Sequence, residues 1–139
     1  MTTSIEEMAR QGGVREITLS GWDGENDITV KARRPSLYAM AAAGHIPNPL
    51  LPAADSLFMA NGAAIQKSRF DDMAKMLDII ARETLVKPTF EELEQAGLTL
   101  TDTQYLEIYR FVIGGAASLE RFREAVRAAA GRHGAADGV

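Results

Sequence analysis

The sequence predicts a mainly α fold, in which an N-terminal β-hairpin is followed by a bundle of about five or six helices and the strand content is minor (α+β). Three patterns carry this expectation. Apolar residues alternate with polar ones on both sides of a turn-like hexapeptide, residues 22–27, in the first quarter of the chain. Through the middle, apolar residues recur every three or four positions. Around these stretches stand repeated helix starts and stops, written in Pro, Ser, Thr and Gly.

Residues 1–15 have no sustained period and include Gly12-Gly13, so they are expected to form a mobile lead-in with a short helical turn around residues 5–10. From residue 16 the pattern changes. Ile17 and Leu19 alternate with Glu16, Thr18 and Ser20, and Ile28, Val30 and Ala32 alternate with Thr29 and Lys31. With Trp22-Asp23-Gly24-Glu25-Asn26-Asp27 between them, these runs place a hairpin over 16–33. A lone hairpin is marginal in water, so its apolar face must lie on the helices that follow or on another chain. Trp22, beside the turn, is either a lid over that face, the favoured reading, or an exposed interface anchor.

The helical domain is expected over 36–130. Pro35 fixes φ and Ser36 can cap a first short helix; Gly44 can end it, and Pro47 and Pro49 forbid its continuation. Leu37, Tyr38, Ile46, Leu50 and Leu51 in this proline-framed stretch either seal the core or line a partner groove, with the core favoured for most of them. A second short helix over 52–60 is punctuated by Asn61-Gly62. Residues 65–86 read as a long amphipathic helix: Phe70, Met73, Leu77, Ile80 and Thr84 form a stripe that Met76 and Leu85 widen. Lys87-Pro88 stops it. Thr89 with Glu92 has the capping-box spacing and starts a short helix that Gly97 ends; Thr101 with Gln104 starts another, with Tyr105, Ile108, Tyr109 and Val112 on one face, ended by Gly114-Gly115. Ser118 is expected to cap a last helix bearing Leu119, Phe122, Val126 and Ala129. Residues 131–139 are glycine-rich and expected to fray. The 139 residues contain no repeat and no linker composition, so a single domain is expected.

Composition narrows function mainly by exclusion. Fifteen basic and nineteen acidic side chains give a net charge of −4, which counts against nucleic acid and against an anionic lipid surface. No apolar run is long enough to span a membrane, and the first residues lack a signal-peptide layout. Cysteine is absent, which removes disulfides, thiolate nucleophiles and Cys-based zinc sites; the expected compartment is cytosol. His45 and His133 lack a second histidine at helical metal-site spacing, and the glycine pairs lack the spacing of a phosphate loop. Adjacent acids such as Asp71-Asp72 point about 100° apart on a helix and do not converge. No enzyme activity, metal or cofactor is therefore expected. Arg33-Arg34 reads as a solvated strand end, a partner for acids on the long helix, or a contact for an acidic partner; phosphate ranks last. Among six methionines, Met40, Met59, Met73 and Met76 lie on or near apolar faces. Each is a gap filler or part of an adaptable binding surface, the former favoured singly.

The order of these signals resembles a known family. A hairpin is followed by Arg33-Arg34-Pro35-Ser36-Leu37, then by Gly44-His45-Ile46-Pro47-Asn48-Pro49-Leu50-Leu51 and Ala54-Asp55-Ser56-Leu57-Phe58. Farther on stand Lys87-Pro88-Thr89-Phe90-Glu91-Glu92-Leu93 and Leu100-Thr101-Asp102-Thr103-Gln104. Over about residues 15–125 this resembles the tail assembly chaperones of long-tailed bacteriophages and prophages. The resemblance implies a non-enzymatic protein of the host bacterial cytoplasm, absent from the mature virion. Such a protein binds the tape measure protein, keeps it soluble and helps tail tube protein polymerise around it. Self-association is an accompanying expectation. The partner-binding candidates are Trp22, Arg33, Arg34, Leu37, Tyr38, Met40, Ile46, Leu50, Leu51, Met73 and Met76. A structural tail or connector component and a bacterial helical adaptor are the competing readings.

Overall fold

A computed structural model describes the backbone of residues 1–60 and 70–137, with the side chains of 1–55 and 70–129. Helix α1 spans Ile5–Gly12, strands β1 and β2 span Arg15–Ser20 and Asp27–Ala32, and helix α2 spans Leu37–Ala42. A 3₁₀ turn, Asn48–Leu50, runs into α3, Leu51–Ala60. Then follow α4, Phe70–Thr84; β3, Leu85–Lys87; α5, Phe90–Gln95; and α6, Asp102–Asp137. The fold is mainly α with an N-terminal hairpin, and the hairpin is part of a three-stranded antiparallel sheet in the order β1-β2-β3.

The hairpin turn explains itself chemically. Asp23 Oδ1 accepts from the backbone N–H groups of Glu25 and Asn26, each at 2.8 Å, and Asn26 Nδ2 donates to Asp23 Oδ2 at 2.7 Å. These bonds, those from Asn26 and Glu25 foremost, lower the Asp23 carboxyl to about 2. Gly21 is required sterically, since a Cβ there would lie 2.0 Å from the Asn26 carbonyl oxygen. Ile17, Leu19, Val30 and Ala32 are buried, so one face of the hairpin belongs to the core.

The helix punctuation is local and legible. Ser36 Oγ accepts from Ala39 N–H at 3.2 Å and caps α2. At the other end His45 N–H reaches Met40 O at 2.9 Å and Gly44 N–H reaches Ala41 O at 3.1 Å, a Schellman pair for which Gly44 supplies φ +78°. Thr89 and Glu92 form a reciprocal capping box, as do Thr101 and Gln104. Gly97 repeats the Schellman ending for α5.

Four boundaries depart from the sequence reading. The helical turn expected over 5–10 is present and runs on to Gly12, with Ser4 as its cap and Arg10 bridged to Glu7 at 2.6 Å. The long amphipathic helix ends at Thr84 instead of Val86; its expected first turns, residues 65–69, lie outside the described residues. Leu85–Lys87 turns to the sheet: Arg33 N–H donates to Thr84 O at 3.0 Å, Ala32 pairs with Leu85 and Lys31 with Lys87, with a register shift between them. Leu85 is apolar and buried, so a helical stripe and a strand claim it equally. Ser118 caps no helix. The break falls at Gly115, with φ +83° and ψ −173°, and the chain turns helical again at once, with no loop for a cap to close. Lastly, the backbone is helical through Asp137, over most of the tail expected to fray.

The buried apolar side chains form one cluster. α4 packs on α6, and α6 lies against β1. Tyr109, Phe111 and Ile108 from α6, Met76 and Ile80 from α4, and Leu19 from β1 are among its most buried members.

Candidate functional site

An apolar groove of about 710 Å³ opens where α4, the start of α6 and the 3₁₀ turn meet. Leu50 and Met73 are buried at its floor, and Leu77, Tyr105 and Leu106, all half-buried, form the walls. Phe70 stands in its lining with 88% of its surface exposed, an unusual position for a large aromatic residue. The rim is charged by Lys75, Asp78 and Asp102. Tyr105 Oη lies 3.4 Å from Asp78 Oδ1, and burial, with the Asp78 charge behind it, raises the phenol above its usual value. Arg82 bonds Asp78 at 2.9 Å and Glu94 at 3.2 Å and stacks 4.2 Å from the centre of the Phe90 ring, which holds α5 beside α4.

The predicted partner-binding residues do not form one surface. Leu37, Met40, Ile46, Leu50, Met73 and Met76 are core residues, 8% exposed or less. Only Leu50 and Met73 of these touch the groove; Met76 and Met40 fill the interior, where their flexible chains suit irregular space. Tyr38 and Leu51 are exposed beside a smaller depression of about 240 Å³. Trp22 is half-buried on the core and donates from Nε1 to Thr99 O at 2.7 Å, the geometry of a lid. Met59 lies where side chains are not described.

The Arg-Arg-Pro-Ser-Leu stretch is a junction in which Arg33, Arg34, Ser36 and Leu37 each make a different contact. Arg33 pairs with Glu83 on α4 at 3.0 Å, and Glu83 also lies 3.5 Å from His45 Nδ1. Arg34 sends Nε and Nη2 to the carbonyl of Val112 at 3.2 and 3.1 Å. That carbonyl sits in the last turn before the break at Gly115, so a guanidinium from the far end of the chain takes a bond that the helix cannot supply. A Cβ on Gly115 would come within 3.4 Å of the Arg34 guanidinium. Pro35 then separates the arginines from the Ser36 cap, and Leu37 anchors in the core. Both arginines therefore hold elements together.

A second polar cluster joins the hairpin to α6 without any local sequence signal. Glu107 on α6 is buried, and its carboxylate accepts from Ser20 N–H and Ser20 Oγ, both at 2.9 Å, and from Arg123 Nε at 3.1 Å. Arg123, also buried, reaches Asp27 Oδ2 at 2.7 Å, and Arg127 reaches the same oxygen at 3.2 Å. The hydrogen bond from Arg123, helped by its charge and that of Arg127, lowers Asp27 below the usual carboxylate range. Gln104 Nε2 donates to Ser20 O at 2.8 Å. Glutamate and arginine 16 positions apart on a helix broken at glycine offer no sequence signal, because the break decides whether they face each other.

Among the described residues no group of three or more His, Asp or Glu side chains is placed to hold a metal ion, and no helix is long and apolar enough to cross a membrane. No protein-family model, no curated protein and no solved structure matches the chain.

Proposed function

We propose that this chain is a non-enzymatic assembly chaperone. Its client is the long, apolar, helical tape measure protein of a long-tailed phage or prophage, which it keeps soluble while tail tube protein polymerises around it. The observation that best supports this reading is the groove of about 710 Å³ between α4 and α6, with Phe70 almost fully exposed in its lining. An amphipathic client helix places anchors at i, i+3 or i+4 and i+7 into such a groove. Met73 at its floor and Leu77 and Tyr105 on its walls offer adaptable apolar contact. A net charge of −4 keeps the loaded complex dispersed. Holding and releasing a helix calls for no reacting group, which agrees with the absence of any catalytic motif in the sequence. The protein acts in the host bacterial cytoplasm and leaves before the particle is complete.

Co-expression with fragments of a tape measure protein from the same genome tests the proposal. The expected result is a soluble complex with at least one apolar fragment, and no trace of this chain in purified virions. A protein that stays with the virion is a structural tail or connector component; one that solubilises no fragment is not a tape measure chaperone.

A further inference from the structure

β1 is the outermost strand of the sheet, and its free edge can be read residue by residue. Along a strand in an antiparallel sheet, successive residues turn their N–H and C=O groups to alternate sides. Arg33 N–H points to β3, bonding Thr84 O at 3.0 Å, so Lys31 and Thr29 face β3, and Ala32, Val30 and Ile28 face β1. Their partners Arg15, Ile17 and Leu19 therefore face β2, which leaves Glu16, Thr18 and Ser20 facing outward. Ser20 confirms the parity: its N–H goes to Glu107 and its C=O receives Gln104, both on α6. The outward groups of Glu16 and Thr18 receive no such cover among the described residues. Two N–H and two C=O groups are thus left on an edge whose next residue is closed.

We propose that this edge pairs with the same edge of a second copy, antiparallel, with Ile17 opposite Ile17 across a two-fold axis. The proposal is independent of the chaperone reading. The chain is complementary to itself in only this register. With residue 17 on the axis, Glu16 of each copy meets Thr18 of the other, and all four open groups on each edge are used. Moving the axis to residue 16 would set two Glu16 carboxylates opposite each other, which is repulsive. Moving it to residue 18 would ask for the Ser20 groups, which α6 already holds. The apolar residues at this end lack cover as well. No residue of α1 is buried, and Ile5, Met8 and Val14, immediately before β1, are at least half exposed. Pairing sets Val14 opposite Ser20 of the second copy and carries α1 toward that copy's hairpin turn.

Sedimentation over a concentration series reads the association. The expected result is a species of twice the 15.1 kDa chain mass. Thr18→Pro removes an outward N–H without touching the β1–β2 ladder, so it weakens the dimer at least about tenfold while the far-UV circular dichroism stays as it was. Should Thr18→Pro misfold, cysteine pairing decides, since the chain has no native cysteine. Glu16→Cys mixed with Thr18→Cys cross-links readily under mild oxidation, because directly opposed Cα atoms lie about 5.5 Å apart, whereas either variant alone cross-links poorly. A chain monomeric at every concentration overturns the proposal. So does a dimer that a folded Thr18→Pro variant retains, or one that favours the 16–16 or 18–18 link.

Discussion

Arg123→Met is the sharpest probe of how the hairpin is held to the helices. The wild-type pair is deeply buried, with the Glu107 side chain 2% exposed and that of Arg123 5%. The substitution keeps most of the apolar stem but leaves the Glu107 carboxylate inside the protein with only the two neutral donors of Ser20. Breaking a buried pair by removing one partner costs about 3–5 kcal/mol. Because Ser20 still supplies two bonds, the low end, about 3 kcal/mol, is expected. Asp27 adds little, since it is 43% exposed and keeps Arg127 at 3.2 Å. For a chain of this size the loss lowers the melting temperature by roughly 10 °C. Urea titration followed by circular dichroism measures it. Adding Glu107→Leu removes the stranded charge and recovers part of the loss, leaving a deficit of about 1–3 kcal/mol for the unpaired Ser20 N–H. A loss below about 1 kcal/mol in Arg123→Met, or a double variant less stable than the single one, would refute the cluster as the clamp between hairpin and helix.

Gly115→Ala forces a side chain into φ +83°, ψ −173°, against the Arg34 guanidinium, and is expected to cost about 1–3 kcal/mol, measured by the same titration. Leu50→Asp puts a carboxylate into a core position 5% exposed and is expected to unfold the protein or cost more than about 4 kcal/mol; a well-folded variant that only loses its client would move Leu50 from the core to the binding surface. The Asp23 carboxyl, held at about 2 against an ordinary 3.8, supports the turn fully above the ordinary value and loses that support as pH falls toward 2. Carbon-detected NMR titration should place its midpoint near 2, and an ordinary midpoint would mean the turn bonds are not formed in solution.

What the sequence disclosed and what it hid divide along contact range. Thr89 with Glu92, Thr101 with Gln104, Ser36, Gly44 and Gly97 act within one or two turns of their own position, so spacing alone reveals them. The alternation at Ile17, Leu19, Val30 and Ala32 likewise marks the buried face of the hairpin. Strand β3 stayed hidden because Leu85 satisfies a helical stripe, and only its distant partner Ala32 draws it into the sheet. The bond from Arg34 to Val112 and the triad of Ser20, Glu107 and Arg123 join residues far apart in the chain. The candidate site followed the same division. Met73 and Leu50 were legible as apolar, but which apolar residues line a groove and which fill the core depends on how α4 crosses α6. That crossing left Phe70 outside and Met76 inside.

Whether the α4–α6 groove receives an apolar client helix is read by titration calorimetry with one soluble tape measure fragment. Phe70→Asp changes a residue that is 88% exposed, so melting should not move. The wild-type chain is expected to bind, and the variant to bind at least tenfold more weakly. Equal affinity for both proteins would contradict binding in the groove.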